Sequence, residues 1–139
     1  EYINFNNMFK TNKDLGLLIL RVGVSLCMLT HGYGKLQRLI NDPTDFGDPI
    51  GLGATISLLL VVLGEFIAPL FVIVGYKTKI ATLFPLITML VAAFVVHASD
   101  PFGKKEMAVL YAICFLVIAI SGAGAPILIF SVANFLTLR

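Results

Sequence analysis

Residues 15 to 34, LGLLILRVGVSLCMLTHGYG, form an apolar run of membrane-crossing length that holds one permanent charge, Arg21. An α-helix rises 1.5 Å per residue, so about 20 residues cross a hydrocarbon layer about 30 Å thick. Three further runs of that kind follow, over residues 54 to 75, 79 to 97 and 106 to 123. No water is present in hydrocarbon to satisfy exposed N–H and C=O groups, so each run is expected to be a helix. The expected fold is all-α, a single transmembrane domain built as an integral membrane four-helix bundle.

Composition agrees with that reading. Hydrophobic residues make up 58% of the 139 and charged residues only 13%, where a soluble domain carries about 25% charge. A net charge of +2 gives no electrostatic footprint for a nucleic-acid partner. Cys27 and Cys114 lie in separate apolar runs with no C-x-x-C spacing, as small core residues do and a thiol-disulfide centre does not. The first run is long, contains Arg21 and is not followed by a small-x-small cleavage site, so it reads as an uncleaved anchor.

The connections are turn-rich. NDPTDFGDP separates the first two runs, Gly75-Tyr76-Lys77-Thr78 the second and third, and SDPFGKK the last two. SGAGAP halts the fourth run, after which segment 126 to 138 either lies along the interface or continues inward after a kink. The leading EYINFNNMFKTNKD is either a short interfacial helix or a tail. Four crossings put both termini on one face. Lys10, Lys13, Lys77, Lys79 and Arg139 flank that face, against Lys35, Arg38, Lys104 and Lys105 on the other. The positive-inside rule then places both termini in the cytoplasm of a bacterial-type inner membrane.

An ionisable group at membrane depth is costly and needs a partner or a wet cavity. Glu65 stands near the middle of the second run, about 15 Å from either end, and Arg21 about 9 Å from the same boundary as that run's end. The offset of about 6 Å is within an extended arginine's reach, so an Arg21–Glu65 pair is expected. Pro69, four residues after Glu65, removes the amide that would bond the Glu65 carbonyl and predicts a kink. The pair serves either as an architectural clamp or as a site for protons or a ligand.

His31 and His97 end the first and third runs, with Lys35 one turn beyond His31 and Glu106 opening the fourth run on the same side. This is a polar cluster at one membrane boundary. It can exchange protons near neutral pH and hydrogen-bond a quinone carbonyl, or its histidines simply bond loop carbonyls. Bis-histidine haem ligation and a zinc site lack a supporting pattern. Asp42, Asp45 and Asp48 miss the alternating spacing and terminal glutamate of a calcium loop, and read as solvated turn residues.

Leu20-Arg21, then His31-Gly32-Tyr33-Gly34-Lys35-Leu36, Gly64-Glu65, Gly75-Tyr76-Lys77-Thr78 and the Ala92-Ala93 patch together resemble the DoxX family of small four-helix membrane proteins, over residues 15 to about 124. The resemblance implies four transmembrane helices. In some members it implies service as a subunit of a thiosulfate:quinone oxidoreductase or another membrane oxidoreductase complex. Many members also end the fourth helix on a polar Gly-x-Gly-x-x-Ser-Leu-Asp-like motif, where this chain has Gly122-Ala123-Gly124-Ala125-Pro126.

The chain has no flavin or nicotinamide fingerprint and no cysteine set for iron and sulfur, so it carries no cofactor of its own and electrons would come from a partner. The first reading is therefore a small membrane subunit of a quinone-linked redox complex, with Arg21, Glu65, His31, Lys35 and His97 as candidate site residues. Its partners would be membrane lipid and a larger redox protein, or further copies of itself. Two alternatives stand beside it: a non-catalytic scaffold or assembly subunit, and an oligomeric small-anion transporter using Arg21 as its binding group, with helices broken at Pro69 and Pro85.

Overall fold

The computed structural model describes residues 12–125. The possible interfacial helix at the amino terminus and the segment after Pro126 lie outside the described residues, the first in all but its last three positions. Four helices follow in order: α1 (Asn12–Asn41), α2 (Ala54–Val74), α3 (Thr78–Val96) and α4 (Phe102–Ser121). No strand occurs among the described residues. α1, α2 and α3 are each long and apolar enough to cross a membrane. α4 has the length, and gathers Lys104, Lys105 and Glu106 in its first two turns.

Each helix packs on its chain neighbour and α4 closes back on α1, the arrangement that short connections impose on antiparallel helices. The core between them holds Met28, Val72, Met89, Phe115 and Ile118. The outer surface is apolar too, with Ile19, Ile80, Phe94, Leu110 and Ile120 exposed. That distribution suits lipid as the surrounding solvent, which exacts no penalty for apolar exterior.

α1 continues about two turns beyond the expected end at residue 34. Lys35, Gln37 and Arg38 end the hydropathic run but not the helix, because they are good helix formers interleaved with Leu36, Leu39 and Ile40. The true stop is Asp42-Pro43, since a residue before proline is driven out of the α region. α2 ends on Gly75 at φ 83°, with Gly75 N–H on the Val72 carbonyl and Tyr76 N–H on the Phe71 carbonyl. This is a Schellman cap, which needs the left-handed residue that glycine supplies.

Both α2 and α3 contain one π-helical turn, Leu63–Ile67 and Ala92–Val96. In the first, the Ala68 N–H bonds the Leu63 carbonyl five residues back, and Pro69, with no N–H, cannot hold the Glu65 carbonyl in the ordinary ladder. The expected irregularity at Pro69 thus takes the form of an inserted residue, a device that recurs at functional sites. In the second, the His97 N–H closes on the Ala92 carbonyl at 3.0 Å.

Candidate functional site at the two π turns

Gly32 on α1 faces the backbone of Glu65, and a Cβ there would collide with the Glu65 carbonyl. Gly64 does the same for α3, where a Cβ would strike the Thr88 side chain. Two bare backbones therefore let α1 and α3 close on the π turn from either side, and Glu65 is left 2% exposed between them.

The partner of Glu65 is Lys35. Its ammonium lies 2.6 Å from one carboxylate oxygen and 2.5 Å from the other. Lys35 stands one turn after Gly32, and helical side chains lean toward the helix amino terminus, so its long stem returns to the level of Glu65. The pair is lopsided, with the glutamate side chain 3% exposed and the lysine 34%. Such charge-assisted bonds offset the cost of taking the carboxyl group out of water.

The expected Arg21–Glu65 pair does not form. Arg21 is buried instead at the other end of α2, where its guanidinium contacts Gly75 and donates to the Ala125 carbonyl at 3.1 Å. The error lay in the assumed register. From Arg21 to Gly32 is eleven residues along α1, and from Gly75 back to Glu65 is ten along α2. Two contacts thus fix the antiparallel alignment, and Arg21 falls about 16 Å along the axis from Glu65 rather than about 6 Å. α1 begins well before α2 ends, so their ends do not mark a common boundary. At its actual depth Arg21 meets the carboxyl-terminal ends of α2 and α4, whose partial negative charge suits a cation. Its Nε and Nη1 have no hydrogen-bond partner among the described residues, nor do the Ser25 and Thr78 hydroxyls.

The polar cluster of His31, Lys35 and His97 does assemble, with Glu65 added and Glu106 left out. His31, Lys35, Glu65, His97 and Tyr111 line one cleft of about 200 Å³ between α1, α3 and α4. On the other side of the same ion pair, between α2 and α3, lies a larger cleft of about 430 Å³, walled by Leu60, Leu63, Phe84, Ile87 and Val91. Lys35, Glu65, Ala92 and His97 belong to both clefts. Glu106, expected in the cluster, is exposed and lines neither.

Two residues missed in the sequence complete the geometry. Asp100 lies 2.7 Å from His97 Nδ1, and the hydrogen bond from His97, with Lys104 and Lys105 nearby, holds its carboxyl below the usual carboxylate range. Asp100 stands three residues from His97 before Pro101, a spacing that reads as turn punctuation. Tyr111 meets the His31 ring edge-on, centroids 5.7 Å apart. Its only sequence signal was a polar tip on an apolar helix.

The 42 to 53 connection roofs the larger cleft with Phe46, Pro49 and Ile50. Its aspartates serve the loop itself. Asp42 accepts from the Thr44 hydroxyl and amide, and Asp48 from the Leu52 and Gly53 amides and the Ser57 hydroxyl. The Gly53 amide first, then Ser57 and Leu52, hold the Asp48 carboxyl low against the opposing pull of desolvation.

The comparisons with known proteins bear on the same region. The chain is 28% identical over 120 residues to the inner membrane protein YqjF of Escherichia coli, an alignment covering 84% of this chain and 91% of that protein. No solved structure matches the chain. The DoxX family model matches residues 16–98, a span that includes Arg21, His31, Lys35, Glu65 and His97. Spanning more than half of the sequence and both π turns, that match makes the chain a membrane protein of the DoxX family.

Proposed function

We propose that the protein is a small subunit of a quinone-linked redox complex of the inner membrane, with the larger cleft taking an apolar ligand whose polar head reaches Lys35, Glu65 and His97. The observation that carries this reading is the Lys35–Glu65 pair, with its carboxylate buried, set in the wall of an otherwise apolar cleft. A volume of about 430 Å³ falls within the range of about 300–1,000 Å³ usual for small-molecule sites. A few convergent polar groups in an apolar pocket fix the orientation of such a ligand. The Lys35 ammonium can donate to a quinone carbonyl, and Glu65 or His97 can exchange a proton with the reduced oxygen. Electrons come from a partner protein.

Titration of the full-length protein in lipid nanodiscs with decylubiquinone tests the reading. Saturable binding is expected, weakened about tenfold or more by Glu65→Gln or Lys35→Met, the loss of one charge-assisted hydrogen bond. Absence of saturable binding, or affinity unchanged in both variants, defeats it. Native-gel mass spectrometry of membranes should also find the protein beside a larger redox protein.

A scaffold role is the second reading, favoured by the way Gly32 and Lys35 both bind α1 to the π turn of α2. Glu65→Ala separates the two: a complex that assembles but is inactive supports the subunit reading, and failure of the protein to accumulate supports the scaffold. The anion-transport alternative finds no such support, because Arg21 lines neither cleft.

A further inference from the structure

The Lys35–Glu65 pair stands between two spaces, one almost wholly apolar and the other mixing titratable groups with methionines and alanines. The larger cleft is bounded by Leu60, Phe84 and Ile87, all exposed on the lipid-facing surface. The smaller one opens beside Lys104 and the His97–Asp100 pair, at the end of the bundle where the charged connections lie. Its lining gathers titratable groups from every helix: His31 and Lys35 from α1, Glu65 from α2, His97 at the end of α3, and Lys104 and Tyr111 from α4. A space of about 200 Å³ holds roughly six waters, and the titratable groups set among Met28, Met89, Met107 and the alanines are the hydrogen-bond partners such waters need. Asp100 engages His97 Nδ1, which leaves Nε2 as the ring nitrogen able to pass a proton within the clefts.

We infer that the smaller cleft is an aqueous vestibule and that the Lys35–Glu65 pair is the partition between it and the lipid-side cleft, so that a ligand in the larger cleft exchanges protons with water through the vestibule beside His97. This deepens the reading of the larger cleft as a quinone-type site, and rests on it for the identity of the ligand. In the proposed route a proton from water is taken by His97 Nε2 and passed to the Glu65 carboxylate or to the ligand oxygen. The imidazole returns to its neutral form with Nδ1 still held by Asp100, which acts as a positioning residue.

Ala92 lines both spaces, and thiol labelling there reports which route water takes. The full chain, with Cys27→Ala and Cys114→Ala, carries Ala92→Cys in nanodiscs and is exposed to a membrane-impermeant sulfonated methanethiosulfonate. Met107→Trp obstructs the vestibule and Ile87→Trp the lipid-side cleft; these positions are 57% and 58% exposed, so neither substitution loads the core. Labelling is expected to slow at least tenfold with Met107→Trp and to change less than twofold with Ile87→Trp. No labelling, slowing by Ile87→Trp alone, or equal slowing by both overturns the proposal. An unfolding temperature in detergent unchanged from the parent in every variant confirms the fold. Should Ala92→Cys not fold, Ala108→Cys, which lines the vestibule alone, tests whether that space is wet: labelling slowed by Met107→Trp supports the vestibule, and absence of labelling by the sulfonated reagent overturns it.

The decylubiquinone titration is independent of this labelling. A protein that binds no quinone yet shows the expected pattern loses the ligand and keeps the vestibule, while intact binding with the opposite pattern loses the vestibule alone.

Discussion

Gly32 of α1 and Glu65 of α2 meet backbone to backbone, so closely that the carbonyl of Glu65 occupies the place of a Cβ on Gly32. The obstacle is main chain on a helix already strained into a π turn, and main chain cannot rotate aside as a side-chain tip can. Gly32→Ala must therefore push α1 from α2. A loss of about 1–3 kcal/mol is expected, the range for overpacked cores, read as a lower unfolding temperature in detergent. Gly16→Ala and Gly23→Ala, on the same helix with open space around them, should leave it unchanged or slightly raised, since alanine is the better helix former.

Breaking the Lys35–Glu65 pair should be asymmetric. Removing the lysine strands a carboxylate that is 3% exposed, whereas removing the glutamate frees a lysine, 34% exposed, to extend toward water. Lys35→Met is expected to cost about 3 kcal/mol or more, limited by protonation of the orphaned Glu65, and Glu65→Gln clearly less. The double variant Lys35→Met/Glu65→Gln should recover much of the loss, since no charge is then left unpaired. Denaturant or steric-trap unfolding of the four proteins measures the cycle, and equal single effects would contradict the asymmetry.

Arg21 and Glu65 should behave as independent sites. They lie about 16 Å apart along the bundle, share no partner among the described residues, and well-separated sites add within about 0.5 kcal/mol. Arg21→Lys alone is expected to destabilise, because a lysine cannot reproduce the planar group that touches Gly75 and reaches the Ala125 carbonyl. Combined with Glu65→Gln, its effect should simply add, and a coupling energy above about 1 kcal/mol would restore a direct link.

The roof over the larger cleft should loosen in acid. Asp48 is ionised more readily in the folded protein than in the unfolded chain. Its contribution is therefore complete above the ordinary carboxylate value of about 3.9, and falls away as the pH drops through the lower folded value. Hydrogen-exchange protection of the Leu52 and Gly53 amides, corrected for intrinsic rate, should be flat from pH 7 to about 5 and decline below about 4. Asp48→Asn should remove that pH dependence.

Much of the fold was legible in the residues. The apolar runs over 54 to 75 and 79 to 97 became α2 and α3 almost to the residue, since hydrocarbon allows only helices and hydropathy measures their length directly. Pro69 announced the irregularity beside Glu65, and Asp42-Pro43 marked a stop. His31, Lys35 and His97 were legible as neighbours because alternate helices bring their matching ends to one face.

Pairing across helices was not legible in the same way. Every residue number along α1 and α2 was known, yet sequence alone left open how far one helix slides past the other, and that displacement gave Glu65 to Lys35 and sent Arg21 to the helix ends. Gly32 and Gly75 decided it, the first by letting the two backbones touch and the second by making room for the Arg21 guanidinium, where any larger residue would have stopped the approach sooner. The sequence by itself determined that the chain fills a membrane with helices and must find partners for two deep charges, because hydrocarbon enforces both locally. Which partners those are, and that two clefts meet at one ion pair, were decided only by tertiary packing, where the fit of opposing surfaces sets the register.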